Sequence, residues 1–238
     1  PLIIEKLSLF ALTVISSIIT FLAQKSSGAA VSLETLSFGE RLVNVSLSYA
    51  KYILMLVYPV NLGFWYPLEK NPNPLAVIGA IVLLFGITLY CWRERNRRKY
   101  LLMGWLWFLG TLVPVIGLVQ VGLQSLADRY TYVPYFGLFI MLVWGMGDLF
   151  AHFKLNNKIV AAICAVVLII FGFLAYKQTS LWKNSETLYT HTLQFTKNNY
   201  FLLTNLCLHH FTKSAPDVAE RHCSELLAQT PPSADANY

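Results

Sequence analysis

Long stretches without a charged residue are the feature that most constrains this chain. Five stretches lack Asp, Glu, Lys and Arg over about the 20 residues that a helix needs to cross a bilayer. Only 13% of the residues are charged and 56% are hydrophobic, whereas soluble domains carry about 25% charged residues. Lipid cannot satisfy open backbone groups, so each span must be helical. The sequence therefore predicts an all-α, polytopic transmembrane helical bundle with spans at residues 7–23, 75–92, 101–119, 134–150 and 159–175.

A sixth apolar stretch, residues 42–62, contains Lys51 near its middle. A charge at the centre of a span costs about 2.5–3.5 kcal/mol on insertion scales. An interfacial or re-entrant helix avoids this cost, because the Lys51 ammonium can then reach the polar boundary. We favour five spans plus one such helix, and a sixth crossing is the alternative.

Basic residues in one short loop set the predicted orientation. Residues 93–99 hold five of the 18 basic residues, so the loop 93–100 is expected to be cytoplasmic. Alternation of the spans then makes residues 24–74 one long external loop. It also places loop 122–133 and the segment 177–238 on the external, or periplasmic, side.

The composition becomes polar after the last span, which divides the chain into a transmembrane domain, 1–176, and an external helical segment, 177–238. The positions of Leu206, Cys207, Ala219, Leu226 and Pro231 match those of a tetratricopeptide (TPR) repeat. One such repeat cannot bury its apolar face. We therefore expect an array that continues past residue 238, and a chain that is a piece of a longer protein.

The cysteines of this segment, Cys207 and Cys223, are interpreted as packing residues, with a disulfide as the alternative. The spacing of cysteines and histidines matches no metal motif, so no metal site is predicted.

Residues 124–134, Gln-Ser-Leu-Ala-Asp-Arg-Tyr-Thr-Tyr-Val-Pro, place an arginine at a membrane edge beside an acid and two tyrosines. Ionisable residues at membrane depth are often functional. A guanidinium also suits bidentate binding of a lipid-carrier phosphate. Alternatively, Asp128 and Arg129 pair with each other or cap helices, while Tyr130 and Tyr132 belong to an aromatic belt. The residues alone leave both readings open.

At these residues the chain resembles a known family. Three other stretches share the pattern: Glu5-Lys6 before residues 20–24, Arg41 to Pro67 with Phe64-Trp65-Tyr66, and Trp182 to Asn199. Together with residues 124–134, they resemble bacterial polytopic membrane proteins that carry C-terminal TPR repeats. Those proteins are related to the animal transmembrane and TPR-containing O-mannosyltransferases.

The resemblance implies a GT-C-type glycosyltransferase of the bacterial inner membrane. Such an enzyme transfers a sugar from a polyprenyl-phosphate carrier to an external protein or glycan acceptor. The family's catalytic carboxylate lies in the first external loop, so the resemblance implies that it lies upstream of this chain. The lipid-linked sugar is then the substrate and no cofactor is identified. The expected partners are the lipid carrier and a protein or peptide acceptor bound by the TPR-like segment, and no nucleic acid is expected. A non-catalytic, membrane-anchored TPR scaffold for envelope assembly is the alternative.

The candidate residues for binding the donor phosphate or the substrate all fall on the predicted external side. They are Arg129, Asp128, Tyr130, Tyr132, Arg41, Lys51 and Tyr66. Basic side chains would supply charge and aromatic ones a stacking surface. Asp148 is not a candidate, because it falls at the predicted cytoplasmic end of its span.

Overall fold

The computed structural model describes residues 37–69, 71–118 and 124–212, together with positions 11–12, 15–16, 18–19, 220, 223–224 and 227. Its architecture confirms the predicted all-α fold. Within the three long ranges the helices are α1 (Phe38–Val57), α2 (Pro74–Arg93), α3 (Lys99–Leu112), α4 (Tyr135–His152), α5 (Asn157–Leu181), α6 (Ser185–Leu193) and α7 (Tyr200–Thr212). Two short strands, β1 (Tyr66–Pro67) and β2 (Gln124–Leu126), pair antiparallel.

Three of the described helices, α2, α4 and α5, are long and apolar enough to cross a membrane. They coincide with three of the predicted spans. Almost none of their apolar side chains is buried within the protein, and α5 buries none. So much exposed apolar surface is unfavourable in water but favourable in the lipid of a membrane. The chain is therefore a membrane protein.

Helix α3 is shorter than its predicted span, 101–119. It has 14 residues, which gives it a length of about 21 Å. The chain leaves the helix before Pro114, which has no backbone N–H to continue it, and turns at Gly117, where φ is 94°. Helix α3 is nevertheless the core of the bundle, because Leu101, Trp105, Phe108 and Leu112 are all buried on one face. The predicted span 7–23 lies largely outside the described residues.

Glycines allow α3 and α4 to pack closely. A Cβ at Gly104 would meet the carbonyl oxygen of Gly137, and a Cβ at Gly137 would meet that of Gly104. Small residues at such crossings let the backbones of membrane helices approach each other. On the other side of α3, Trp105 Nε1 donates a 2.9 Å hydrogen bond to Thr88 Oγ1 of α2.

Helix α1 contacts one end of this bundle, which we call the motif end. It begins with a capping box formed by Ser37 and Glu40. The Tyr49 hydroxyl donates to the carbonyl oxygen of Leu109, near the end of α3, at 2.7 Å. The Tyr135 hydroxyl, at the start of α4, donates to the Tyr52 carbonyl oxygen at 2.7 Å. An interfacial helix would make such contacts, but the assignment of residues 42–62 as interfacial stays a prediction.

The opposite end of the bundle, which we call the basic end, contains the α2–α3 turn and the last turns of α4. Arg98 Nε lies 3.3 Å from Asp148 Oδ2, and the Tyr100 hydroxyl donates to the same oxygen at 2.7 Å. Asp148 therefore lies beside the arginine cluster and away from residues 124–134.

Helices α6 and α7 form a hairpin that docks at the motif end. The Phe64 N–H donates to Thr192 Oγ1 at 3.2 Å, and Asn199 Nδ2 donates to the Trp65 carbonyl oxygen at 3.3 Å. The Trp65 ring stacks on Phe201 with a centroid separation of 4.3 Å. The C-terminal hairpin and the loop after α1 thus form one connected unit.

Cys207 and Cys223 form a disulfide, so their interpretation as packing residues is wrong. Both lie in helical segments of the C-terminal region, and their Cα atoms are 5.2 Å apart. This separation lies within the range that a disulfide spans. The TPR-like character of the segment stays a prediction.

Candidate functional site

The β1–β2 ribbon fixes the start of the 124–134 loop against the loop that follows α1. Tyr66 pairs with Leu126, and the Ser125 hydroxyl donates to the Tyr66 carbonyl oxygen at 3.3 Å. Residues 124–127 are consequently buried. The next four residues, Asp128–Thr131, form a 3₁₀ turn that leads through Pro134 into α4.

Three side chains of α1 hold this loop through its backbone. Asn44, Ser48 and Tyr52 recur every four residues and therefore share one helix face. Asn44 Nδ2 and Ser48 Oγ donate to the Ser125 carbonyl oxygen at 3.4 and 3.2 Å. The Tyr52 hydroxyl accepts from the Ala127 N–H and donates to the Ala127 carbonyl oxygen, both at 3.1 Å. Buried backbone groups need such partners.

Sequence reasoning missed these three residues. The available signal was their regular spacing, since polar side chains at every fourth position of an apolar stretch indicate a buried polar contact.

Asp128 is the unusual group of the turn. Its Oδ1 atom is buried and has no hydrogen-bond partner among the described residues. Burial raises the pKa of the carboxyl group to about 6, against the opposing effects of the Tyr66 side chain, the Gly63 N–H and the Arg129 charge. A carboxyl group that changes protonation this close to neutrality is typical of functional sites.

Tyr66 lies beside Asp128 and is buried. Its hydroxyl accepts a 2.7 Å hydrogen bond from the Gly63 N–H. Burial, followed by the negative charge of Asp128, raises the pKa of Tyr66, so the hydroxyl keeps its proton. The structure thus brings together two of the predicted site residues from loops that are about 60 positions apart in the chain.

Arg129 is exposed next to this pair. Its Cζ atom lies 5.2 Å from the centroid of the Tyr130 ring, and the Tyr130 hydroxyl accepts from Gln124 Nε2 at 2.8 Å. Although adjacent in sequence, Asp128 and Arg129 are not among the ion pairs of the described residues. The guanidinium is therefore available to an anionic ligand. Tyr132 is 78% exposed, as an aromatic residue at a membrane boundary would be.

The two remaining candidates lie elsewhere on α1. Arg41 is buried, with only 6% of its surface exposed. Lys51 is exposed and lines a groove of about 470 Å³ between α1 and the first turn of α2. Ser125 also lines this groove, but Asp128, Arg129, Tyr66 and Arg41 do not. Of the seven predicted residues, Tyr66, Asp128, Arg129 and Tyr130 thus form a cluster, and Lys51 lies in a neighbouring groove.

The chain is similar in sequence to a known human protein. The chain is 26% identical over 187 residues to the human protein O-mannosyl-transferase TMTC1, a match that covers 74% of this chain and 21% of the human protein. The chain thus spans about a fifth of the length of that relative. No protein-family model matches the chain, and no solved structure matches it. The chain is a membrane protein related in sequence to an O-mannosyl-transferase.

Proposed function

We propose that this chain is part of a membrane glycosyltransferase that moves a sugar from a polyprenyl-phosphate carrier to an external protein or glycan acceptor. The observation that carries the proposal is the exposed guanidinium of Arg129 beside the buried Tyr66 and the partly buried Asp128. The sequence relation to an O-mannosyl-transferase supports it. The proposal assigns the catalytic carboxylate to no residue of this chain.

In this proposal Arg129 binds the carrier phosphate and stabilises it as the leaving group. Asp128 and Tyr66 border the place where the sugar would bind, and Asp128 Oδ1 is an acceptor without a partner among the described residues. Tyr130, which packs against the guanidinium, keeps Arg129 in place. The groove beside Lys51 receives part of the lipid, because its walls are mainly apolar.

The orientation belongs to the same proposal. The motif end faces the periplasm or exterior and the basic end faces the cytoplasm, in keeping with the positive charge of the basic end. The disulfide between Cys207 and Cys223 supports this arrangement, because disulfides persist in oxidising compartments. The α6–α7 hairpin would then offer its surface to an external acceptor.

A membrane-anchored scaffold is the second candidate. Apolar side chains remain exposed on the C-terminal helices, where Leu208 is 59% and Phe211 74% exposed. Such a surface suits protein docking without chemistry. A transfer assay discriminates between the two functions, because only the enzyme transfers a sugar.

The test is a transfer assay with the full-length protein, a polyprenyl-phosphate-linked sugar and a protein acceptor. Arg129→Lys keeps the charge but loses the bidentate fork, so it should reduce transfer. Arg129→Ala should reduce it further, by roughly 1.5–3 kcal/mol of binding if one charge-assisted contact is lost. Both variants should reach normal abundance, because an exposed arginine adds little to stability.

Lys183→Ala is the matched control, since it removes an exposed positive charge outside the site. Normal transfer by Arg129→Ala would refute the phosphate role. A collapse of its abundance would instead show that Arg129 has an architectural role.

A further inference from the structure

Positive charge is concentrated at the basic end, away from the candidate site. Residues 93–99 and 148–158 contain seven of the 18 basic residues of the chain and two of its 12 acidic residues. The contact between Arg98 and Asp148 joins the α2–α3 turn to the end of α4. Helix α5 begins only a few residues after α4 ends, so Lys154 and Lys158 lie at the same end.

Ion pairing neutralises little of this charge. Arg98 is engaged by Asp148, and its Nη1 atom also donates to the Tyr90 hydroxyl at 3.3 Å. The other four cations of the turn are exposed, and in the described part of the chain no acidic side chain forms an ion pair with them. These four residues, which we call the basic turn, are Arg93, Arg95, Arg97 and Lys99.

The basic turn is ordered by its own backbone. The N–H groups of Arg97 and Arg98 donate to the Glu94 carbonyl oxygen at 3.0 and 2.8 Å. Arg95 Nη1 donates to the Trp92 carbonyl oxygen at 2.9 Å, and its Cζ lies 4.8 Å from the centroid of the Trp92 ring. The backbone of the turn and the Arg95 guanidinium are thus held in position before any ligand binds, which lowers the entropic cost of binding.

Two exposed aromatic residues indicate how deep this turn lies in the membrane. Tyr90 and Trp92 are 50% and 56% exposed in the last turn of α2, one of the helices that can cross the membrane. Tyrosine and tryptophan in such positions lie at the level of the lipid headgroups. The basic turn directly follows them, so its cations lie where the phosphates of the bilayer lie.

We propose that the basic turn binds the phosphates of anionic phospholipids in the leaflet that it faces. Guanidinium groups bind phosphate oxygens in bidentate fashion, and basic clusters next to membrane helices attract anionic headgroups. Charge and depth both favour a lipid phosphate over a soluble anion. The proposal concerns the end opposite the candidate site and does not depend on the proposed function.

The test uses the purified chain in nanodiscs of phosphatidylcholine, with or without phosphatidylglycerol. Both faces of a nanodisc have the same composition, so the result does not depend on orientation. Native mass spectrometry then counts the lipids that stay bound after transfer to detergent. The wild-type chain should retain phosphatidylglycerol in preference to phosphatidylcholine.

The Arg93→Gln/Arg95→Gln/Arg97→Gln variant should lose this preference, because each basic residue contributes about fivefold to affinity, so that three together contribute on the order of a hundredfold. Lys177→Gln/Lys183→Gln/Lys197→Gln is the matched control: it removes the same charge from exposed residues outside the basic turn and should retain the preference. The inference is overturned if the wild-type chain retains both lipids equally, or if the two triple variants retain phosphatidylglycerol equally.

A second variant covers the case in which the glutamine variant does not fold. Arg93→Lys/Arg95→Lys/Arg97→Lys keeps the charge, so it should keep most of the preference, and that preference should weaken as salt is added. Retention that is insensitive to salt would contradict a phosphate contact.

Discussion

At the scale of single residues, Asp128 distinguishes this loop from an ordinary membrane-edge turn. Its carboxyl group is buried beside Tyr66, and the adjacent Arg129 does not neutralise it by direct contact. Keeping an ionised carboxylate in that position costs folding free energy at neutral pH. A group that lowers stability in this way is better explained by function than by architecture.

This arrangement predicts a specific pH dependence. The pKa of Asp128 in the folded protein, about 6, lies above its ordinary value of 3.8, so the folded state binds the proton more tightly than the unfolded chain. Stability should therefore fall as the pH rises from about 4 to about 6 and change little above that, with a total effect of about 2–3 kcal/mol. Asp128→Asn should remove this slope and unfold at a higher temperature than the wild-type chain at pH 7.

Thermal unfolding in detergent across this pH range measures the effect. Glu69→Gln, which also removes one carboxyl group but at an exposed position, is the control. Parallel pH profiles for the wild-type chain and Asp128→Asn would show that Asp128 is not held in a desolvated site.

At the scale of helices, the bundle depends on the close crossing of α3 and α4. Helix α3 is too short to count among the spanning helices, yet it supplies the buried face around which α1, α2 and α4 pack. In its partner α4, Gly137 and Leu138 are the only buried residues. The glycine contact therefore carries much of the packing between these two helices.

Alanine substitutions test this crossing. Gly104→Ala or Gly137→Ala would place a Cβ against the carbonyl oxygen of the facing helix, which cannot move as a side-chain end can. The helices should separate, at a cost of about 1–3 kcal/mol in the free energy of unfolding.

Controls lie on the same two helices. Gly110 in α3 and Gly145 in α4 have open space where a Cβ would stand, so alanine there should be neutral or stabilising by up to about 1 kcal/mol. The unfolding temperatures of the four variants show whether alanine is costly only at the crossing. Equal effects at all four positions would mean that helix propensity, not the crossing, is being measured.

At the scale of the whole molecule, the fold was largely predictable and the site only in part. Apolar length located α2, α4 and α5, because lipid solvation depends on composition alone. The same criterion overestimates the length of α3, because Pro114 and Gly117 end the helix within an apolar stretch. The run of apolar residues hides that end, since lipid-facing and protein-facing positions have the same composition.

The site depends on long-range contacts that sequence spacing does not reveal. Tyr66 meets Asp128 because β1 pairs with β2, and two short strands leave almost no periodic signal. The sequence predicts Tyr66, Asp128 and Lys51 as members of one substrate-binding site. Only the fold shows that Lys51 lies in a separate groove. The spacing of Cys207 and Cys223 does not reveal their disulfide, because bridging depends on how the helical segments pack.

We propose that the 124–134 loop and the C-terminal hairpin form one external face, opposite the basic turn. Cysteine accessibility in intact cells tests this most directly, with single cysteines at Tyr132, Lys197 and Asn96, all exposed positions. A membrane-impermeant maleimide should label Tyr132→Cys and Lys197→Cys in intact cells, but Asn96→Cys only after permeabilisation. Labelling of Asn96→Cys in intact cells, or opposite behaviour of Tyr132→Cys and Lys197→Cys, would contradict the account.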